Sequence, residues 1–211
     1  ATPLVVTIDG PAGTGKTTVA ANLAQRLGLE FLDTGAMYRT AALVALDRGI
    51  DPTDGRALAH EIEAAGMRFG WGTERPHVYL GDRDVSDRIR ELDVSEIVSI
   101  VASQPEVRRV LVARQRRIAG EHQRLVTEGR DQGSVVFPDA PVRFYLDAPA
   151  AIRADRRAAQ IAATGKAVDS KTVRHDIDLR DRIDTSRLEA PLTRPDGAIV
   201  VDTGTLSIDE V

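Results

Sequence analysis

Five short apolar runs stand out along the chain, at residues 4–8, 29–32, 125–128, 142–147 and 198–202. They are brief, rich in β-branched residues and bounded by turn signals. That is the pattern of strands buried on both faces of a parallel sheet. Between them the apolar spacing changes to that of helices. Val19, Ala20, Leu23, Ala24 and Leu27 recur along one helical face, and Gly28 is placed to stop it. Helical stretches are also predicted over residues 40–46, from a turn and cap at 51–54 to about Gly66, over 94–103, and over 106–119 after Pro105. A further helical pair spans 150 to about 163, ending at Gly165, and 169 to about 188. Strands alternating with helices predict an α/β fold whose five-stranded parallel sheet is flanked by helices.

Residues 67–89 break this rhythm. Residues 67–71 and 77–80 alternate their faces across a turn-like 72–76, which predicts a small antiparallel hairpin. Residues 81–85 are able to add a third short strand, so the segment reads as a small inserted subdomain. Trp71 there is either local packing, the favoured reading, or a base-stacking platform.

Composition narrows the function more than the fold. The 211 residues are 42% hydrophobic and 28% charged, with a net charge of −4. That is an ordinary globular composition, and its sign does not suggest a nucleic acid or an anionic membrane as partner. Neither a bilayer-spanning run nor a signal-peptide pattern is evident, and the absence of cysteine excludes disulfides and thiolate metal sites. A cytoplasmic protein is expected. Lys16, Lys166 and Lys171 are the only lysines. The arginines that replace lysine elsewhere are either a compositional bias or planar forks for phosphate and carboxylate.

Chemistry concentrates at Gly10-Pro11-Ala12-Gly13-Thr14-Gly15-Lys16-Thr17-Thr18. This matches the phosphate-binding pattern G-x-x-x-x-G-K-[ST], and it lies between a predicted strand and a predicted helix, as that motif requires. The glycines let successive N–H groups converge on phosphate oxygens at a helix amino end. Lys16 would then bring positive charge to the β- and γ-phosphates of ATP, and Thr17 a hydroxyl to Mg²⁺. Asp33 follows the second strand, where it could reach Mg²⁺ through water or cap the next helix. Glu128 ends the third strand like the acidic residue of a second nucleotide-binding motif, and is either a metal-shell or a structural carboxylate. Arg39 reads as an anion grip or a solvated position. Arg180, Asp184 and Arg187 share one helical face, which is either a surface ion-pair ladder or a phosphate clamp.

The chain resembles the bacterial cytidylate kinases, a family of nucleoside monophosphate kinases, over nearly its whole length. The resemblance rests on Ile8-Asp9-Gly10-Pro11, on Leu32-Asp33-Thr34-Gly35-Ala36-Met37-Tyr38-Arg39, on Glu128-Gly129-Arg130-Asp131, on Val136-Phe137-Pro138-Asp139-Ala140-Pro141, and on Arg180-Asp181-Arg182 with Ala190-Pro191-Leu192. It implies transfer of the γ-phosphoryl group of ATP to CMP or dCMP, with Mg²⁺. It further implies a core at about 1–50, 92–149 and 189–211, an NMP-binding insertion at about 51–91 and a mobile lid at about 150–188. Carried over by position, Arg39, Arg130 and Arg187 would hold the CMP phosphate, with Thr34 beside them. Ser99, Arg108 and Asp131 would read cytosine, and Arg180 and Asp184 would bind nearer the sugar and phosphates. Arg153, Arg156 and Arg157 would be lid arginines, with Arg153 and Arg157 joining Lys16, Arg130 and Arg180 in catalysis. A C-terminal helix would begin near residues 207–210, and a monomer is expected. A switch GTPase would need an Asn-Lys-x-Asp segment, but the only asparagine is Asn22. A P-loop kinase for AMP, dTMP or shikimate is the remaining alternative.

Overall fold

The computed structural model describes residues 4–71, 76–163 and 169–211. Residues 72–75 of the turn expected at 72–76, and the helix stop at Gly165, lie outside the described residues. Strand β1 (Leu4–Asp9) leads through a loop into helix α1 (Lys16–Leu27), and β2 (Glu30–Asp33) into α2 (Thr34–Arg48). Helix α3 (Gly55–Ala64) precedes three short strands, β3 (Met67–Gly70), β4 (His77–Leu80) and β5 (Arg83–Asp84). Helices α4 (Leu92–Ser103) and α5 (Pro105–Glu121) then lead to β6 (Arg124–Gly129). After it come β7 (Val142–Asp147), α6 (Ala150–Ala162), α7 (Ser170–Ser186) and β8 (Ile199–Asp202).

The main sheet is parallel throughout, in the order β2-β6-β1-β7-β8. From β1 the chain runs outward to β2 and back to β6 on one side. It then crosses to β7 and β8 on the other. The order reverses between β1 and β7, and ligands of open α/β sheets bind outside the carboxyl ends of the strands at such a point. Strands β3, β4 and β5 form a separate antiparallel sheet, so the third short strand is present.

Alternation in the strands divides the core. Leu125 and Leu32 face a large cluster with α2, α3, α4 and α5, whereas Val126 and Phe31 face a second cluster with α1. Leu32, Met37, Leu43, Leu58, Ile62 and Leu111 are almost wholly buried; burial of each such side chain contributes about 1.5–3 kcal/mol. Among the described residues, helices α6 and α7 bury Ala154, Val173 and Ile177 in a small cluster of their own. Trp71 rests on the large cluster with its ring 4.1 Å from that of His122, which is local packing.

Four strands of the main sheet end in aspartate, and its β6 ends in Glu128-Gly129. Asp33 caps α2 by accepting from the Ala36 N–H (2.8 Å). Asp147 and Asp202 accept from the nearby amides of Ala148 and Gly204. Asp9 and Glu128 instead reach across to other segments. At the far end, residues 207–211 make a single turn in which Glu210 accepts from the Ser207 N–H and hydroxyl, both at 2.8 Å.

Candidate active site

Three carbonyl groups of the loop after β1 are engaged by side chains. The Pro11 carbonyl accepts from Lys16 Nζ (2.7 Å) and Thr14 Oγ1 (3.1 Å), the Ala12 carbonyl from Arg153 (3.0 Å) and the Thr14 carbonyl from Thr203 (3.1 Å). Helix α1 has no acidic residue in its first turn and no side-chain cap, unlike α2, α3 and α7, which Asp33, Asp54 and Asp169 cap. Its amino end is therefore available to an anion. Gly13 is held at φ +84°, and a Cβ there would lie 2.9 Å from that of Arg153, so the loop passes too close to α6 for a larger residue.

Lys16 is buried, and desolvation, reinforced by Arg130, lowers its pKa to about 7. Thr17 donates to the Glu128 carboxylate (2.9 Å). Burial, with Asp33 next in effect, raises Glu128 to about 7. The register pairs Asp33 with Glu128 across β2 and β6, which explains that repulsion. Asp33 also pairs with Arg90 at 3.4 Å. Both sequence readings of Asp33 are thus geometrically available: the cap is made, and the carboxylate stands beside Glu128.

A pocket beside the loop is lined by Thr34, Arg39, Ser99, Arg108, Arg130, Asp131, Arg180, Asp184 and Arg187, together with Tyr38. The first nine are the acceptor-side residues named from sequence. Arg108 and Asp131 form a buried ion pair, and Arg108 lies 5.5 Å from the centre of the Tyr38 ring. Arg130 donates to Asp184 at 3.0 Å, and Arg187 lies 3.8 Å from the other oxygen of that carboxylate. Thr34 donates to the Glu128 carbonyl (2.7 Å).

Arg39 donates to Ser95 (2.8 Å), and desolvation, then Arg180 and Arg157, pulls its pKa down to about 9. Desolvation and Arg130 lower Arg180, and desolvation lowers Arg157. Guanidinium groups crowded together at this cost suit a bound polyanion. Arg153 is placed differently: it bridges the Ala12 carbonyl and Asp181, the latter at 2.7 Å. Arg156 is engaged by Thr203 (3.2 Å). A larger groove on α3 and α5, with Arg56, Glu63, Glu106, Arg109, Arg114 and Arg117, contains none of these residues.

Sequence reasoning gave Tyr38, Ser95, Asp181 and Asp9 no role. Tyr38 sits inside a motif that was noted, but only its neighbours were assigned. Asp9 is wholly buried and accepts from the Gln132 N–H (2.8 Å) and the Gly133 N–H (2.7 Å). Burial raises its carboxyl to about 6 against the pull of those two amides.

The strand order, the glycine loop and the converging cations define a P-loop kinase fold. A gluconokinase from Sinorhizobium meliloti 1021 superposes with a TM-score of 0.50 at 15% identity, covering 99% of this chain and 86% of that one, a likeness of fold alone. The cytidylate kinase family profile matches residues 6–211, and the chain belongs to the cytidylate kinase family. It is 49% identical over 210 residues to the cytidylate kinase of Rhodococcus jostii (strain RHA1), spanning 99% of this chain and 91% of that protein. It is 46% identical to that of Rhodococcus opacus (strain B4), over 99% and 91%.

Proposed function

We propose that the protein transfers the γ-phosphoryl group of ATP to CMP or dCMP, giving ADP and CDP or dCDP. One observation carries this reading. A loop able to hold a nucleoside triphosphate opens beside a pocket that joins phosphate-binding arginines to an Arg108–Asp131 pair able to read a base.

The attacking atom is a phosphate oxygen already ionised at neutral pH, so no strong base is required. The barrier lies in bringing two polyanions together. Lys16, Arg39, Arg130, Arg180 and Arg187 offset that repulsion, and Arg157 adds charge from α6. Arg153 stiffens the loop backbone through Ala12. The Thr17 hydroxyl and the Glu128 and Asp33 carboxylates are hard oxygen donors of the kind that suit Mg²⁺. Among the described residues no cluster of three or more histidine, cysteine or acidic residues could hold a metal. When bound, Mg²⁺ supplies further neutralising charge.

Residues 51–91 would serve as the nucleotide-binding insertion and 150–188 as a closing lid. The small separate core of α6 and α7 supports the second assignment, and water exclusion gives it a purpose. Hydrogen exchange in α6 and α7 should slow with a bisubstrate analogue; unchanged exchange at saturation counts against closure. The proposed working unit is a monomer. Among the described residues no helix is long and apolar enough to cross a membrane. ADP release measured with a panel of nucleoside monophosphates, ATP and Mg²⁺ tests the activity. Preference for AMP or dTMP over CMP would overturn it.

A further inference from the structure

We propose that Asp9 is a positioning residue for the acceptor nucleotide, holding the backbone that carries Arg130 and Asp131 in register with the phosphate loop. The inference rests on the kinase reading above and extends it to a residue outside the lining of the acceptor pocket.

Residues Gln132–Val136 form a short π-helix directly after Arg130 and Asp131. Asp131 stands at its N-cap position, where its side chain would be expected to cap the turn. It does not; its carboxylate is paired with Arg108. The cap comes instead from Asp9, more than a hundred residues away, whose two oxygens each accept one amide, from Gln132 and from Gly133. This division of labour leaves Asp131 able to face the base.

The neighbouring residues serve the same attachment. A Cβ at Gly133 would stand 2.8 Å from Thr7 Oγ1 and 3.0 Å from the Pro195 ring, so only glycine lets this amide come up against β1. Gln132 is fully buried; it accepts from Thr127 Oγ1 (2.9 Å) and donates to Gln115 (3.1 Å). The segment is thereby fixed to β1, β6 and α5 at once. Asp9 is also the last residue before Gly10, where the phosphate loop begins. One carboxylate thus ties the donor loop to the backbone of the acceptor readers. Displacement of a positioned group by about 1 Å can cost 10²-fold in rate.

Asp9→Asn keeps the shape but presents an N–H₂ where one of the two amides needs an acceptor. In the full chain, with ATP and Mg²⁺, it should raise KM for CMP and lower the CMP/UMP ratio of kcat/KM, each by about tenfold, while KM for ATP moves less. Gly133→Ala, which pushes the same amide off Asp9, should reproduce this split. A wild-type CMP/UMP ratio in either folded variant, or a loss confined to KM for ATP, would overturn the proposal. If Asp9→Asn does not fold, Gly133→Ala alone decides. Absence of CMP phosphorylation in the wild type would instead defeat the kinase reading, so the two failures are distinguishable.

Discussion

The two ends of the site are built from different material. The donor end is one contiguous loop whose carbonyls are engaged by Lys16, Thr14, Arg153 and Thr203. The acceptor end is made of side chains from α2, α4, α5, the end of β6, and α7 and the residue after it. In the donor end geometry is held by backbone conformation, and one side chain carries most of the charge. In the acceptor end charge is spread over several arginines, and the proposed selectivity rests on one buried pair. A backbone-built site recognises what all nucleoside triphosphates share. A side-chain-built site is the one that can distinguish bases.

The sharpest way to break that comparison is at Lys16. Lys16→Ala should lower kcat by on the order of 10²-fold or more, since it removes a major electrostatic element. CMP binding, followed by calorimetry, should be little changed. Near-normal turnover in the folded variant would show that charge at the donor end is as dispersed as at the acceptor end.

Asp131→Asn probes the other end. The buried Arg108 loses its carboxylate, so stability should fall by about 3–5 kcal/mol. Loss of stability alone would also follow from a purely structural pair. The discriminating readout is the CMP/UMP ratio. An asparagine can accept from or donate to the base edge, so the ratio should narrow by about tenfold. An unchanged ratio would remove Asp131 from base reading.

The smallest effect expected is in the pH dependence of stability where the two ends meet. The Asp9 carboxyl lies at about 6 in the folded protein against an ordinary 3.8. The folded state therefore holds the proton more tightly across that window. The resulting stabilisation is complete below the lower value and is lost as pH rises through about 6. Urea unfolding of the wild type relative to Asp9→Asn should show the wild type losing on the order of 1 kcal/mol of relative stability between about pH 5 and pH 7. A difference independent of pH would mean that the two amides keep this carboxyl ionised throughout.

Much was determined by the sequence itself, and the reason is locality. Period-two and helical spacing depend on neighbouring residues, so the five parallel strands, the inserted antiparallel strands and the helices between them were legible, and Gly10 to Thr18 identified the phosphate loop. The acceptor residues were named only through family resemblance. From spacing alone, Arg180, Asp184 and Arg187 read rather as a surface ladder, because which way a helical face points is fixed by what packs against it. Tertiary structure decided that this face turns towards Arg130. It also decided that Glu128 reaches Thr17 (2.9 Å), that Arg153 bridges the loop and Asp181 (2.7 Å), and that Asp9, not Asp131, caps the turn after β6. Each of those contacts joins residues far apart in the chain. Their distance and burial, and hence the shifted pKa values of Asp9, Lys16 and Glu128, exist only once parallel strands bring β1, β6 and β2 side by side.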